Sequence, residues 1–318
     1  MKAIVINNYG NPEDFEEQDI SIPIIKETQV LVEMYATTVS SADKLVLSGA
    51  FQHMLSVQFP HVLGVELAGV VKEIGEKVTH VKAGDRVMGL VRTGGSYADY
   101  VALEESALTI IPSTLSFVEA AALPAGALTA WQSLFQYANL QPGQRILIHA
   151  GAGGVGHIAV QLAKQHGAYV ITTARKHNHE FVRQLGADEV IDYTTTDFAK
   201  AVSPVDIVLD MVRDTVIDTN TGIEVTESKN YTILKESGKL ISLVDPSIAK
   251  HPKIRAIESQ FAYIEPNPSD LATIVQSVQE HKLKVHVDGI FPFTAEGIAE
   301  AYHHKHKKGK LVIQRKPF

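Results

Sequence analysis

Cysteine is absent from the 318 residues, which excludes a disulfide framework, a thiol nucleophile and a thiolate-ligated metal. Long hydrophobic runs are missing as well. The most apolar stretch, Phe117 to Trp131, is broken by Glu119 and Pro124, and the opening MKAIVINNYG has no extended apolar segment of the signal-peptide kind. The expectation is a cytoplasmic protein that neither spans nor crosses a membrane. Positive charge is in deficit: 29 Lys and Arg against 36 Asp and Glu give a net charge of -7, which opposes binding to nucleic acid or to an anionic membrane surface. No segment repeats at a period of roughly 20 to 50 residues, and the only biased run is HHKHKKGK, ending at Lys310.

What is present is ordinary globular material, 45% hydrophobic and 20% charged. The length exceeds one typical domain, so two cores are expected. The first third reads as short strands punctuated by turns, at Met1 to Ile6, Gln29 to Val39, Leu67 to Ile74, Asp85 to Val91 and Tyr97 to Leu103. Its many glycines suit tight turns and bulges in a curved β structure. From about residue 118 strands and amphipathic helices alternate, which is the pattern of a parallel sheet built from βαβ units. Strands are expected at Arg145 to Ala150, Tyr169 to Thr173, Glu189 to Asp192, Asp206 to Asp210 and Lys239 to Val244. Helices are expected after residue 155, where Val155, Ile158, Ala159 and Leu162 share a face, and from Glu180 to Leu185. The last stretch offers a strand at Phe261 to Ile264, helices at Asp270 to His281 and Ala295 to Tyr302, and a strand at Lys310 to Gln314. These pieces are too few for a third domain. They are read as returning to complete the first, giving a division at 1–118, 119–258 and 259–318.

The sharpest chemical signal is G-A-G-G-V-G, with Gly151, Gly153 and Gly156 in a complete G-x-G-x-x-G between an expected strand and an expected helix. The first glycine makes the turn, the second admits a pyrophosphate to the backbone, and the third lets helix pack on strand. An NAD site would place an acid about 20 residues on, at the end of the second strand. This chain has T-T-A-R-K-H at 172 to 177 instead, so Arg175 and Lys176 put positive charge where a 2′-phosphate would sit. NADPH is the expected cofactor. Asp192 and Tyr193, closing the third strand, are candidates to border its adenine. His149, in the strand before the fingerprint, is read as a packed core residue, and His303, His304 and His306 as a solvated helix end rather than metal ligands.

Taken with these residues, M-K-A-I-V at the start, V-L-G-V-E-L-A-G-V-V at 62 to 71, G-D-R-V-M-G at 84 to 89 and G-S-Y-A-D-Y-V at 95 to 101 resemble the quinone oxidoreductase group of the medium-chain dehydrogenase/reductase family. The resemblance continues through A-A-L-P-A-G-A-L-T-A-W at 121 to 131, L-G-A-D-E-V-I-D-Y at 185 to 193 and G-K-L-V-I at 309 to 313. It implies an α/β architecture, a GroES-like, mainly β catalytic domain with an inserted Rossmann domain of doubly wound parallel sheet. It also implies a homodimer and a small-molecule quinone or enone substrate.

In zinc-dependent relatives a Cys and a His stand where this chain has Ser40 or Ser41 and Val65, and the four-Cys lobe is missing, so the expected enzyme works without zinc. Glu66 is read as structural. Zinc-free relatives often carry Asn-Pro-x-Asp and a basic residue where this chain has S-S-A-D-K-L-V-L-S-G. Asp43 and Gly49 remain, but Leu45 and Leu47 take the basic positions, implying a less polar pocket. The loop D-M-V-R-D at 210 to 214 lacks the usual glycines. Candidate catalytic residues are Ser40, Ser41, Asp43, Tyr97 and Thr129, with the hydroxyls as donors to a developing oxyanion. Candidate cofactor-binding residues are Thr129, Gly151, Ala152, Gly153, Gly154, Val155, Gly156, Thr173, Arg175, Lys176, Tyr193 and Leu243. The rival reading is an NADPH-binding protein that has lost catalysis.

Overall fold

The computed structural model describes residues 1–52, 55–212, 228–250, 254–305 and 308–315. Arg213 and Asp214 of the 210–214 loop, and His306, lie outside them. The chain divides into two compact units, one formed by Met1–Leu128 with Glu265–Phe318 and the other by Thr129–Ile264. The sequence places these divisions ten and six residues earlier, at 118 and 258.

The first unit opens with β1 (Lys2–Ile6), β2 (Glu16–Asp19), β3 (Gln29–Thr38), the short helix α1 (Ser41–Leu47), β4 (His61–Val62), β5 (Glu66–Ile74), β6 (Arg86–Leu90), β7 (Tyr100–Glu104) and β8 (Leu108–Ile110). Two helices, α2 (Phe117–Ala121) and α3 (Pro124–Trp131), follow, and a π-helical turn covers Gln132–Tyr137. The register between β3 and β5 slips twice, at Leu31/Val32 and Met34/Ala36, and such bulges bend a long strand pair. That curvature lets β3 pair with β5, with β7 and, at its far end, with a strand from the chain's last residues.

The second unit holds β9 (Arg145–Ile148), α4 (Gly156–Gln165), β10 (Tyr169–Thr173), α5 (His179–Gln184), β11 (Glu189–Ile191), α6 (Phe198–Ala201), β12 (Val205–Asp210), α7 (Asn230–Ile233), β13 (Leu234–Ser242) and β14 (Glu258–Phe261). Its sheet runs β11-β10-β9-β12-β13-β14 and every pairing is parallel. In the unit's own order that is 3-2-1-4-5-6, the doubly wound arrangement, whose switch point lies between β9 and β12. Apolar strands such as β9, buried at Ile146, Leu147 and Ile148, fit a sheet covered on both faces.

The chain then returns to the first unit as α8 (Pro268–Gln279), β15 (Val287–Pro292), α9 (Ala295–His303) and β16 (Lys310–Gln314). β16 pairs antiparallel with β3, matching Val312 to Thr38. One expectation fails here. The strand expected at Phe261 to Ile264 is β14, displaced by three residues, and it pairs with β13 in the second unit rather than returning to the first. A strand's partner is chosen by its neighbours in space, which its own residues do not encode.

Candidate active site

The second unit gathers the cofactor candidates along the carboxyl ends of its strands. The loop from β9 to α4 carries the fingerprint, and its glycines meet different constraints. A Cβ on Gly151 would lie 2.0 Å from Thr172 Oγ1, and one on Gly156 would lie 2.2 Å from Ala150 O and 2.7 Å from Gly151 Cα. Both are therefore required by the protein's own packing. Among the described residues, a Cβ on Gly153 would meet only Ala150 O, at 3.2 Å. Apart from that one close carbonyl the described residues leave the space at Gly153 open, so packing asks for a glycine there far less than at 151 or 156, whereas a pyrophosphate drawn against the backbone does ask for one. The loop thus passes a test of fit for a dinucleotide. Val155, the N-cap of α4, provides no side-chain cap, which leaves the positive end of that helix available to an anion.

Around this loop, Ala152 is buried and Gly154 half-buried. Thr173 is 3% exposed, and its hydroxyl accepts from Ala150 N at 3.0 Å. Thr172, which the sequence reading passes over, donates its hydroxyl to Ile148 O at 2.6 Å and fills the space that Gly151 vacates. Arg175 and Lys176 follow β10 and are exposed; Arg175 Nε donates to the Tyr193 hydroxyl at 2.8 Å. Tyr193 is therefore a neighbour of the guanidinium. Asp192 accepts from the Thr194 amide and hydroxyl, which hold its carboxyl below the ordinary carboxylate range. Leu243 follows β13, half-buried, with its N–H on Asp210 O at 2.9 Å. Thr129, also half-buried, lies in the second half of α3.

In the first unit the hydroxyl candidates are largely engaged in architecture. Ser40 caps α1: its Oγ accepts from Asp43 N at 3.1 Å and donates to Asp43 Oδ2 at 2.7 Å, while its N–H reaches the same oxygen at 2.9 Å. Asp43, fully buried, also accepts Gly64 N–H on Oδ1 at 2.9 Å. Gly64 has φ +93°, and a Cβ there would lie 2.2 Å from Ser96 Oγ. The Asp43 side chain thus fixes a turn that only glycine can make. Ser41, the first residue of α1, is exposed. Tyr97 is wholly buried, donates to Thr38 O at 3.1 Å and packs edge-on against Phe15. Burial raises its phenol well above the ordinary value, so it stays protonated. Of the two leucines at the usual basic positions, Leu47 is core and Leu45 is exposed.

Glu66 has 0% exposure and shares its carboxylate among Lys310 Nζ, the Thr38 hydroxyl and, at 2.8 Å, Ala125 N–H. Two charges removed from water hold together only with such complete hydrogen bonding. Glu66 is structural on this geometry. Val65 rather than a histidine precedes it, and among the described residues no donor set that fits zinc surrounds it. Among the described residues no group of three His, Cys, Asp or Glu is placed to hold a metal, and no helix is long and apolar enough to cross a membrane.

Comparison with known proteins identifies the family. Residues 26–113 match the alcohol dehydrogenase GroES-like domain and residues 185–313 the family described as zinc-binding dehydrogenase. The chain is 33% identical over 329 residues to the chloroplastic quinone-oxidoreductase homolog of Spinacia oleracea, covering 99% of this chain and 98% of that one. It is 32% identical to the chloroplastic NADPH-dependent alkenal/one oxidoreductase of Arabidopsis thaliana, over 98% of this chain and 79% of the relative. Among solved structures, the quinone oxidoreductase of Coxiella burnetii superposes with a TM-score of 0.83 at 32% identity and 99% coverage of both chains.

Proposed function

The chain belongs to the quinone oxidoreductase branch of the medium-chain dehydrogenase/reductase family and is an oxidoreductase of that class, and from this membership we propose that it reduces a quinone or an α,β-unsaturated carbonyl with NADPH and without zinc. A nicotinamide cofactor is supported by the relatives. The observation that carries NADPH over NADH is the end of β10, where Arg175 and Lys176 are exposed and no acid stands. A conjugated acceptor suits a chain whose described residues form no metal-holding cluster, since it already takes hydride at carbon without a Lewis acid. The bound cofactor supplies the hydride. The chain's own residues position it: the open face at Gly153 admits the pyrophosphate, the N-terminus of α4 opposes its charge, and Arg175 meets the 2′-phosphate.

A second reading, an NADPH binder without catalysis, is favoured by one observation: Ser40 and Tyr97 are already committed to Asp43 and to Thr38 O. Oxidation of NADPH followed against quinones, enones, alkenals and enoyl thioesters separates the two, because the binder turns over none of them. Cofactor choice is tested at Arg175. Hydrogen bonds to charged groups contribute about 1.5–3 kcal/mol, so Arg175→Ala is expected to weaken NADPH roughly 10- to 150-fold and leave NADH nearly unchanged. Arg175→Asp goes further, since an acid repels the phosphate and accepts from the ribose of NADH. Wild-type preference in both variants, measured by fluorescence titration, refutes the assignment.

A further inference from the structure

The residue immediately before the fingerprint is strained. Ala150 has φ 49°, in the left-handed region that a residue with a Cβ enters only at a cost. Its carbonyl accepts from Gly153 N at 2.9 Å and its N–H donates to Thr173 Oγ1 at 3.0 Å. Both of its backbone polar groups are thereby fixed, which is how a strained residue persists.

Thr173 is itself held. Its Oγ1 lies 3.3 Å from His149 Nδ1, and His149 Nε2 lies 2.8 Å from Asn230 Oδ1. An amide oxygen only accepts, so with a neutral imidazole and Asn230 presenting Oδ1, the ring proton sits on Nε2 and Nδ1 accepts. The Thr173 hydroxyl then donates to His149 and has its oxygen free for Ala150 N–H. Asn230 is fully buried at the first position of α7, and the imidazole stands edge-on to Phe198 at 4.8 Å, so the ring has little room to turn. Donation then runs in one direction, from Ala150 N–H to the Thr173 hydroxyl, on to His149 Nδ1, and from His149 Nε2 to Asn230 Oδ1.

We infer that His149, acting through Thr173, is a positioning residue for the dinucleotide loop: it holds Ala150 in the left-handed conformation that aims Gly151 to Gly156 at the cofactor. This deepens the proposed function and rests on it. Packing alone explains a buried histidine, but it does not explain a chain of hydrogen bonds that starts from the strained Ala150 N–H and runs through Thr173 to the imidazole.

The experiment uses the full chain and relief of strain as its discriminating readout. Thr173→Val keeps shape and removes the hydroxyl; NADPH titrated by fluorescence is expected to bind about tenfold more weakly. Thr173→Ser recovers most of that loss. His149→Phe weakens binding to a similar degree, and the His149→Phe/Thr173→Val double variant loses little more, because the two act in series. Adding Ala150→Gly to Thr173→Val restores binding to within about threefold of wild type, since glycine adopts the left-handed conformation unaided. A merely structural histidine predicts additive losses and no rescue by glycine. Either result overturns the inference, as does wild-type affinity in Thr173→Val. If the wild-type chain binds no dinucleotide, the proposed function fails, and the relay is then judged by amide exchange of residues 150–156 in the free protein. Exchange there should quicken about tenfold in Thr173→Val and slow again with Ala150→Gly; unchanged exchange refutes it.

Discussion

Asp43 accepts three hydrogen bonds, two from Ser40 and one from Gly64, yet loss of hydration outweighs them and pushes its carboxyl up to about 6. The folded value lies above the ordinary one of 3.8, so between these limits the folded chain holds the proton more tightly than the unfolded chain. Stability from this group is therefore greatest at low pH and falls as pH rises from about 4 to about 6. The full effect is on the order of 3 kcal/mol. Urea unfolding of wild type and Asp43→Asn across pH 4 to 7 isolates it: the wild type should lose stability relative to the variant as pH rises, and parallel curves would sink the idea. At this scale the sequence showed residue types and hid their partners. Arg175 and the three glycines could be proposed from sequence because their chemistry follows from position in one strand–loop–helix unit. The brace at Thr172, the His149 relay and the Glu66–Lys310 pair join residues from 24 to 244 positions apart, and no local pattern announces them.

Among the elements, the loop from β9 to α4 separates folding from binding glycine by glycine. Ala at 156 would drive a methyl into the backbone at Ala150 and Gly151, so α4 must move off the strand. Gly156→Ala is expected to cost about 1–3 kcal/mol of stability and to lose dinucleotide binding as well. Gly153→Ala meets one carbonyl at 3.2 Å; its thermal midpoint should stay close to wild type while NADPH binding falls about tenfold or more. Thermal melts paired with titration read both, and equal destabilisation of the two variants would contradict the open face at Gly153. Elements with strong periodicity, such as β10 and β16, are found where the sequence places them. The helix α1 was not anticipated, since seven residues give too short an apolar stripe to stand out; its capping pair Ser40 and Asp43 was the available signal. Likewise β4, of two residues, is a strand only because β1 lies beside it.

For the whole molecule, the two-unit plan was legible from the change of texture near residue 118, and the discontinuity of the first unit from the scarcity of material after residue 255. Metal independence belongs to this scale, because it concerns every donor in the chain. If the proposed reductase works without zinc, prolonged chelation leaves NADPH oxidation unchanged and metal analysis finds zinc well below one per chain; stoichiometric zinc, or activity restored by added zinc, would falsify it.

The pairing of β3 with β16, and of Glu66 with Lys310, sets an order of events on a ribosome. The second unit is one unbroken stretch, 129–264, and emerges whole while the first still lacks its last strand. Until Lys310 arrives, 244 residues after its partner, Glu66 has no counterion and resists burial. The nucleotide-binding unit is thus translated in full while the flanking unit must wait, and any product that terminates before Lys310 carries an uncompensated carboxylate at its centre. Such a fragment keeps that carboxylate in water, and the core of the first unit stays open around it.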